Sequence, residues 1–136
     1  MKRFIDAQEV MYDIALKEIE GGRKQGHWMW YMFPQINGLG FSEISKHYAI
    51  KDLTEAAAFL QHPLLGSRMV GICTALHALK SKDAYSIFGS PDDAKSKSSM
   101  TLFSMVKNAD PVFQRVLDKF FNGLKDLQTL RIVKDA

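Results

Sequence analysis

Apolar side chains recur at steps of three and four residues along most of this 136-residue chain, and that spacing limits its fold more than any other feature. A helix turns once in about 3.6 residues, so side chains at these steps share one face. The spacing predicts an amphipathic helix over residues 4–19, ended by Gly21 and Gly22. Its apolar stripe consists of Phe4, Ala7, Met11, Ile14, Ala15 and Ile19.

Further helices are predicted from the same spacing and from helix-start signals. Five apolar positions predict a helix over about 64–80, and they are Leu65, Met69, Ile72, Leu76 and Leu79. Capping residues and first-turn prolines mark other starts, because a side-chain oxygen can accept the free N–H groups of a first turn. The helices indicated in this way are 52–61, 90–107 and 110–123, with a short capped segment over 43–50 and a short last helix or turn from residue 126.

Strand-like composition is limited to two short segments, 28–33 and 84–88. Two segments so far apart are a poor basis for a sheet, because a stable sheet needs several paired strands. The length of the chain also fits one domain, since a domain typically has about 100–200 residues. We therefore predict an all-α fold, a single compact domain over residues 1–136 in which five to six helices cross at mixed angles as an orthogonal bundle.

Charge is evenly distributed along the sequence. The chain has 18 basic and 15 acidic side chains, for a formal net charge of +3, and no segment has a large excess of either sign. Binders of nucleic acids or membrane surfaces usually concentrate Lys and Arg in one run or on one face. The longest strictly apolar run, residues 28–33, is far too short to span a bilayer, and no signal-peptide segment follows the N-terminus. We predict a cytoplasmic protein with neither nucleic acid nor membrane as a partner.

The sequence gives little support for metal, disulfide or cofactor chemistry. Cys73 is the single cysteine, so no disulfide or thiolate cluster can form within the chain, and its apolar neighbours predict a buried small hydrophobe. The four histidines show no metal-ligand spacing, and no serine nucleophile motif is present. We expect neither a metal nor a cofactor.

The most unusual segment is aromatic and runs from Gly26 through GHWMWYMFPQ to Gln35. Trp28 and Trp30 are two positions apart, so they point in nearly opposite directions in a helix or a strand. One packing surface cannot cover both, and one indole is expected to face something other than the main core. His27 and Gln35 add polar groups, a combination that suits a planar polar ligand such as a nucleobase. The alternative is that both indoles lie in the core or at a subunit contact.

The helix that begins near Ser90 carries polar residues on the face that its apolar positions turn inward. A helix N-terminus favours an anion, and Lys97 and Ser98, with Lys95 and Ser99 beside them, could add donors for phosphate or carboxylate. The alternative is that this helix start extends beyond the core into water.

A short segment capped by Ser42 brings together Glu43, Lys46, His47 and Tyr48. These side chains could supply an acid or base and a contact to an anion. A solvated helix face explains them equally well.

Four motifs in order, HWMWYMFPQ, GLGFSEISKHYAI, HPLLGSR and FGSPDDAKSKSSMTLF, resemble the bacterial and fungal domain-of-unknown-function 1810 family from Phe4 to about Leu130. The resemblance implies a small all-α domain without an established activity. Some family members carry the label calpastatin, but that protease inhibitor is disordered and poor in aromatic residues, whereas this chain has nine phenylalanines, four tyrosines and two tryptophans.

A fainter similarity is to the helical NADAR domains, which act on ADP-ribose-like and N-ribosyl compounds. Glu43 before Tyr48, the two nearby tryptophans and an apolar helix over residues 113–124 resemble that arrangement. The similarity implies Glu43 as a water-activating carboxylate, without fixing any catalytic residue.

Three functions follow from these observations. The first is binding of a nucleotide-like or other polar, anionic small molecule through residues His27, Trp28, Trp30, Gln35, Glu43, Lys46, Tyr48, Lys97 and Ser98. The second is hydrolysis of an N-glycosidic bond. The third is protein interaction, with the aromatic segment as the interface of a homodimer.

Overall fold

Helices account for nearly all regular structure in the computed structural model, which describes residues 1–135. In this range no strand forms, and the pairing of Ile36 with Ile50 is an isolated bridge. The helices in chain order are α1 (Lys2–Glu20), α2 (Met29–Met32), α3 (Glu43–Tyr48), α4 (Leu53–Gln61), α5 (Pro63–Ala78), α6 (Ala84–Phe88), α7 (Asp92–Ser104), α8 (Val112–Phe121) and α9 (Leu127–Asp135).

The predicted all-α class is confirmed, and the number of helices in the described range is nine rather than five to six. The difference comes mainly from α2 and α6, the two segments with strand-like composition. They have four and five residues, which is too short for a helical period to show in the sequence. The start of α4 follows the predicted pattern, since the Asp52 side chain accepts a hydrogen bond from the N–H of Glu55.

Two long helices, α5 and α7, organise the packing. Helix α5 packs against α1, α4 and α8, and α7 packs against α4, α6, α8 and α9. Four fully buried phenylalanine rings pack in series across α1, α4, α7 and α8, in the order Phe4, Phe59, Phe103 and Phe113. Successive ring centroids are 5.1, 5.3 and 5.8 Å apart. Each buried ring stabilises the fold by about 1.5–3 kcal/mol through removal of apolar surface from water.

Cys73 is fully buried in α5, as predicted, and its sulfur lies 3.7 Å from that of Met100. Burial raises the pKa of the thiol, with a smaller contribution from the charge of Asp110. The thiol therefore stays protonated and acts as a packing group.

Helix α7 turns polar side chains inward, as its sequence pattern predicts, but it begins later than expected. Its first residue is Asp92, Pro91 precedes it, and the predicted N-cap Ser90 is exposed. The helix ends at Ser104 instead of residue 107. Four polar residues of α7 are buried, namely Ser96, Ser98, Ser99 and Thr101.

Most of these inward hydroxyls have partners. Ser96 Oγ donates to the Asp93 carbonyl at 2.6 Å, and Thr101 Oγ1 accepts the Asp126 N–H at 2.9 Å, which fixes the segment that leads into α9. Ser99 Oγ is buried and has no hydrogen-bond partner among residues 1–135. An unpaired buried hydroxyl costs free energy, because it has given up water without replacement.

Ser99→Ala is therefore expected to leave the free energy of unfolding unchanged or to raise it by up to about 1 kcal/mol. Ser96→Ala is the matched control on the same helix, because it removes a buried hydroxyl that does have a partner. We expect it to be less stable than Ser99→Ala by about 1 kcal/mol in urea unfolding. Equal effects of the two substitutions would contradict the assignment of the unpaired group.

None of the helices over residues 1–135 combines the length and apolar content that a membrane crossing requires.

Candidate functional site

The two tryptophans occupy different environments. Trp28 precedes α2 and is fully buried, its ring centroid 6.2 Å from that of Phe33. Its indole N–H donates to Glu18 Oε1 at 2.9 Å. Trp30, the second residue of α2, is only partly buried and lines a small hollow beside α3 and α7. Trp28 is therefore a core residue, and Trp30 is the indole that faces away from the core.

Glu18 fixes the segment that leads into α2. One of its oxygens accepts the backbone N–H groups of Gln25 at 2.7 Å and Gly26 at 2.9 Å, besides the Trp28 indole. Burial opposes ionisation of Glu18, but these hydrogen bonds and the nearby Lys24 charge outweigh it and hold its pKa below the ordinary value. The carboxylate therefore binds the start of this segment to α1.

The hollow, which we call the Trp30 hollow, is closed by a short backbone pairing and by α3. Ile50 donates to the Gln35 carbonyl and accepts from the Asn37 N–H, both at 2.8 Å. Gly40 lets α3 approach closely, because a Cβ at this position would lie 2.5 Å from that of Ser45. Apolar walls and five polar side chains meet here, the latter being Trp30, Gln35, Ser45, Tyr48 and Lys95.

The free space in the Trp30 hollow is small. About 20 Å³ is open to the centres of water-sized molecules. That is room for one or two waters, since one water needs about 10–15 Å³ by this measure. A single carboxylate or phosphate oxygen fits this space, and a nucleobase would have to lie across the mouth.

Lys95 is the cation of the hollow, and its charge is only partly neutralised. Its ammonium lies 5.2 Å from the centre of the Trp30 ring and 3.6 Å from one Asp92 oxygen. The other Asp92 oxygen forms the shorter ion pair, 2.8 Å from the Lys24 ammonium. Asp92 is thus shared between two lysines, with Lys24 as its closer partner.

The Trp30 indole nitrogen is buried and has no hydrogen-bond partner within residues 1–135. A buried donor without an acceptor costs about 1–3 kcal/mol. An oxygen acceptor that reached both this N–H and Lys95 would remove that cost and complete the neutralisation of the lysine.

The structure brings Trp30, Gln35 and Tyr48 together among the residues expected at a site, and it places the others elsewhere. Trp28 is in the core. His27, Glu43 and Lys46 are exposed and do not line the hollow.

The two residues expected on α7 also lie outside the hollow. Lys97 is two positions after Lys95 and therefore projects to nearly the opposite side of the helix, where its ammonium is 6.0 Å from the centre of the Phe121 ring. The Ser98 hydroxyl donates to the Ala94 carbonyl. Lys95 and Ser45 are the polar lining residues that are absent from the nine predicted site residues. The sequence did contain a signal for Lys95, because it lies on the face of α7 that the apolar residues of this helix turn inward.

No group of three or more His, Cys, Asp or Glu side chains in the described part of the chain is arranged to hold a metal ion.

Comparisons with known proteins give a family and one similar structure. The model of a family described as "Protein of unknown function (DUF1810)" matches residues 1–133. The crystal structure of the conserved hypothetical protein Rv1873 from Mycobacterium tuberculosis is similar, with a TM-score of 0.95 and 41% identity over 98% of this chain and 95% of that chain. No curated protein matches the sequence. Neither description names an activity.

Proposed function

The chain belongs to the DUF1810 family of proteins of unknown function, and on that premise we propose that the domain binds a small molecule whose anionic group enters the Trp30 hollow. The observation that carries the proposal is the buried, unpaired indole N–H of Trp30 beside the incompletely neutralised Lys95. We expect a carboxylate or phosphate oxygen in the hollow to accept from both groups once the side chains that cover the N–H shift, and charge-assisted hydrogen bonds of this kind are the strong ones.

The size of the hollow determines how the ligand lies. Only the anionic group enters, and the body of the molecule extends over the mouth toward Gln35 and Tyr48. The Lys95 ammonium already lies over the Trp30 ring, so stacking of a planar ligand on that side would require the lysine to move. We therefore assign recognition to hydrogen bonds and charge first, and to stacking second.

The experiment uses the two indole N–H resonances in a ¹H–¹⁵N spectrum, one for each tryptophan. The panel is acetate, inorganic phosphate, ADP-ribose, NAD and mononucleotides. A ligand in the hollow is expected to shift the Trp30 resonance, because its N–H gains an acceptor, and to leave the Trp28 resonance, held by Glu18, nearly in place. A panel that moves neither resonance would overturn the proposal.

Lys95→Gln is expected to weaken binding of the responding ligand about tenfold, since a charge-assisted hydrogen bond contributes about 1.5–3 kcal/mol and solvent reduces this at a partly exposed site. Lys46→Gln is the control, because Lys46 is exposed and lies outside the lining of the hollow. The dissociation constants come from the same indole titration. Equal losses in the two variants would show that overall charge, rather than the hollow, attracts the ligand.

Hydrolysis of an N-glycosidic bond has less support. A general base must lie within hydrogen-bond reach of the reacting water, and Glu43 is exposed in the first turn of α3, outside the lining of the hollow. That alternative would be restored if the wild type released a free base from ADP-ribose or NAD and Glu43→Gln did not. The protein-interaction alternative placed the interface on the aromatic segment, but Trp28 and Phe33 of that segment are buried. The exposed Phe41 and Ile44 are the apolar residues that favour an interface nearby, and light scattering of the wild type and Phe41→Ser tests it.

A further inference from the structure

A second concavity lies where α5 ends and α8 passes beside it, and it shares no lining residue with the Trp30 hollow. It has a volume of about 580 Å³ and is open to solvent. Six polar side chains line it: His77, Lys82, Arg115, Asp118, Lys119 and Asn122. We propose that this surface, which we call the basic concavity, binds a phosphate-bearing small molecule through Lys82 and Arg115.

The first support is the excess of positive charge. Three cations and one carboxylate line the basic concavity. The carboxylate, Asp118, accepts a hydrogen bond from the Gln114 amide at 2.9 Å. None of the ion pairs within residues 1–135 includes Lys82, Arg115 or Lys119, so these cations meet no carboxylate oxygen within 4.0 Å. Lys82 and Arg115 are exposed, so their charges are available to an anion from solution.

The second support is that Lys119 has a structural role, which leaves Lys82 and Arg115 for a ligand. Lys119 donates to the backbone carbonyls of His77 and Leu79 and so closes the C-terminal end of α5. Burial and the nearby Lys82 charge lower the pKa of Lys119, as expected where like charges are held close together. A multivalent anion would relieve this repulsion.

Stabilisation of helix ends explains Lys119 but not the other two cations. Cations are favourable in the last turn of a helix because the carbonyl ends of the peptide dipoles point there. Arg115 is the fourth residue of the ten in α8, and Lys82 lies in the segment between α5 and α6. Neither of these two cations is committed to a helix end, so both are available to a ligand.

The chemistry favours phosphate over a single carboxylate. A guanidinium can donate two parallel hydrogen bonds to phosphate, and an ammonium adds a point charge that can turn toward a second oxygen. The concavity is open to solvent, so a phosphate group attached to a larger molecule also has access to it. Inorganic phosphate, pyrophosphate and ADP distinguish these sources.

The test is a titration of the full chain with inorganic phosphate, pyrophosphate and ADP, followed by backbone amide shifts at Lys82, Arg115 and Asn122. We expect saturable binding that is tighter for pyrophosphate and ADP than for phosphate. Lys82→Gln and Arg115→Gln are each expected to weaken it about tenfold. Lys119 is left intact because its substitution would remove the contacts that close α5.

Lys134→Gln is the matched control, since Lys134 is an exposed lysine near the end of α9 and outside the basic concavity. The same loss of affinity in this variant, or shifts that never saturate, would overturn the proposal, because both indicate unspecific attraction to a positive protein. A short single-stranded oligonucleotide that displaces pyrophosphate and binds more tightly would also overturn it, in favour of nucleic acid. The Trp30 indole resonance reports separately on the hollow.

Discussion

Gly66→Ala is expected to lower the free energy of unfolding by about 3 kcal/mol or more, which is at the upper end for overpacking of a core. Gly66 lies in the first turn of α5, fully packed against the last turn of α4. A Cβ at this position would lie 2.0 Å from the carbonyl oxygen of Leu60. That neighbour is backbone, so the two helices must move apart and disturb the contacts of Phe59. Urea unfolding followed by circular dichroism measures the loss.

Gly71→Ala on the same helix is the control for Gly66→Ala. Its Cβ would meet the Tyr12 hydroxyl at 2.9 Å, which is the end of a side chain that can shift. Alanine is also favoured over glycine inside a helix by about 1 kcal/mol. We expect the two effects to leave stability within about 1 kcal/mol of the wild type. Equal losses in free energy of unfolding for the two variants would contradict our explanation that the close approach of α4 and α5 requires glycine at position 66.

Glu18→Gln is expected to lower the free energy of unfolding by about 2 kcal/mol at pH 7. Hydrogen bonds to a charged group contribute about 1.5–3 kcal/mol, and partial exposure of Glu18 reduces the sum of its three. The amide of glutamine keeps one accepting oxygen but cannot match the carboxylate beside Gln25, Gly26 and Trp28. Urea unfolding at pH 7, with the emission of the two tryptophans as the signal, gives the value.

The pH dependence of this effect follows from the lowered pKa of Glu18. A group whose pKa is lower in the folded state contributes stability above its unfolded pKa, which for Glu is about 4.3, and that stability is lost as the pH falls through the folded pKa. The difference in the free energy of unfolding between the wild type and Glu18→Gln, which we call the gap, is therefore expected to be largest at pH 7 and to shrink below about pH 4. Glu9→Gln, an exposed change on the same helix, is expected to show no such gap. A gap that stayed constant to pH 3 would contradict the role of the carboxylate.

The sequence was sufficient for the long helices and insufficient for the short ones. Helices α1, α5 and α8 have enough turns for the apolar period to appear, and capping residues mark the start of α4 and α3. Helices α2 and α6 have about one turn each, which is too short for an apolar period. Only their composition could be used for a prediction, and that composition is typical of a strand. The ends of α7 also differ from the prediction by two or three residues, because helix ends fray and local signals place them only approximately.

The candidate site depended on contacts that local patterns do not contain. The spacing of the two tryptophans indicated that they diverge, but which one is buried depends on Glu18, a residue of α1 that accepts the Trp28 N–H. The choice between Lys95 and Lys97 is an exception, because the apolar stripe of α7 already places Lys95 on the inward face. Lys82 and Arg115 are far apart in the sequence, so a charge count by segment could not show that they line the same concavity.

The series of phenylalanine rings sets the order in which a newly made chain can fold. It begins with Phe4 near the N-terminus and ends with Phe113 in α8. The ribosome must therefore synthesise most of the polypeptide before the last ring can complete the series, and until then α5 and α7, against which α8 packs, keep apolar surface exposed. Cooperative folding of this domain is for that reason a late event in synthesis, and nascent chains that stall before α8 are the ones most exposed to aggregation.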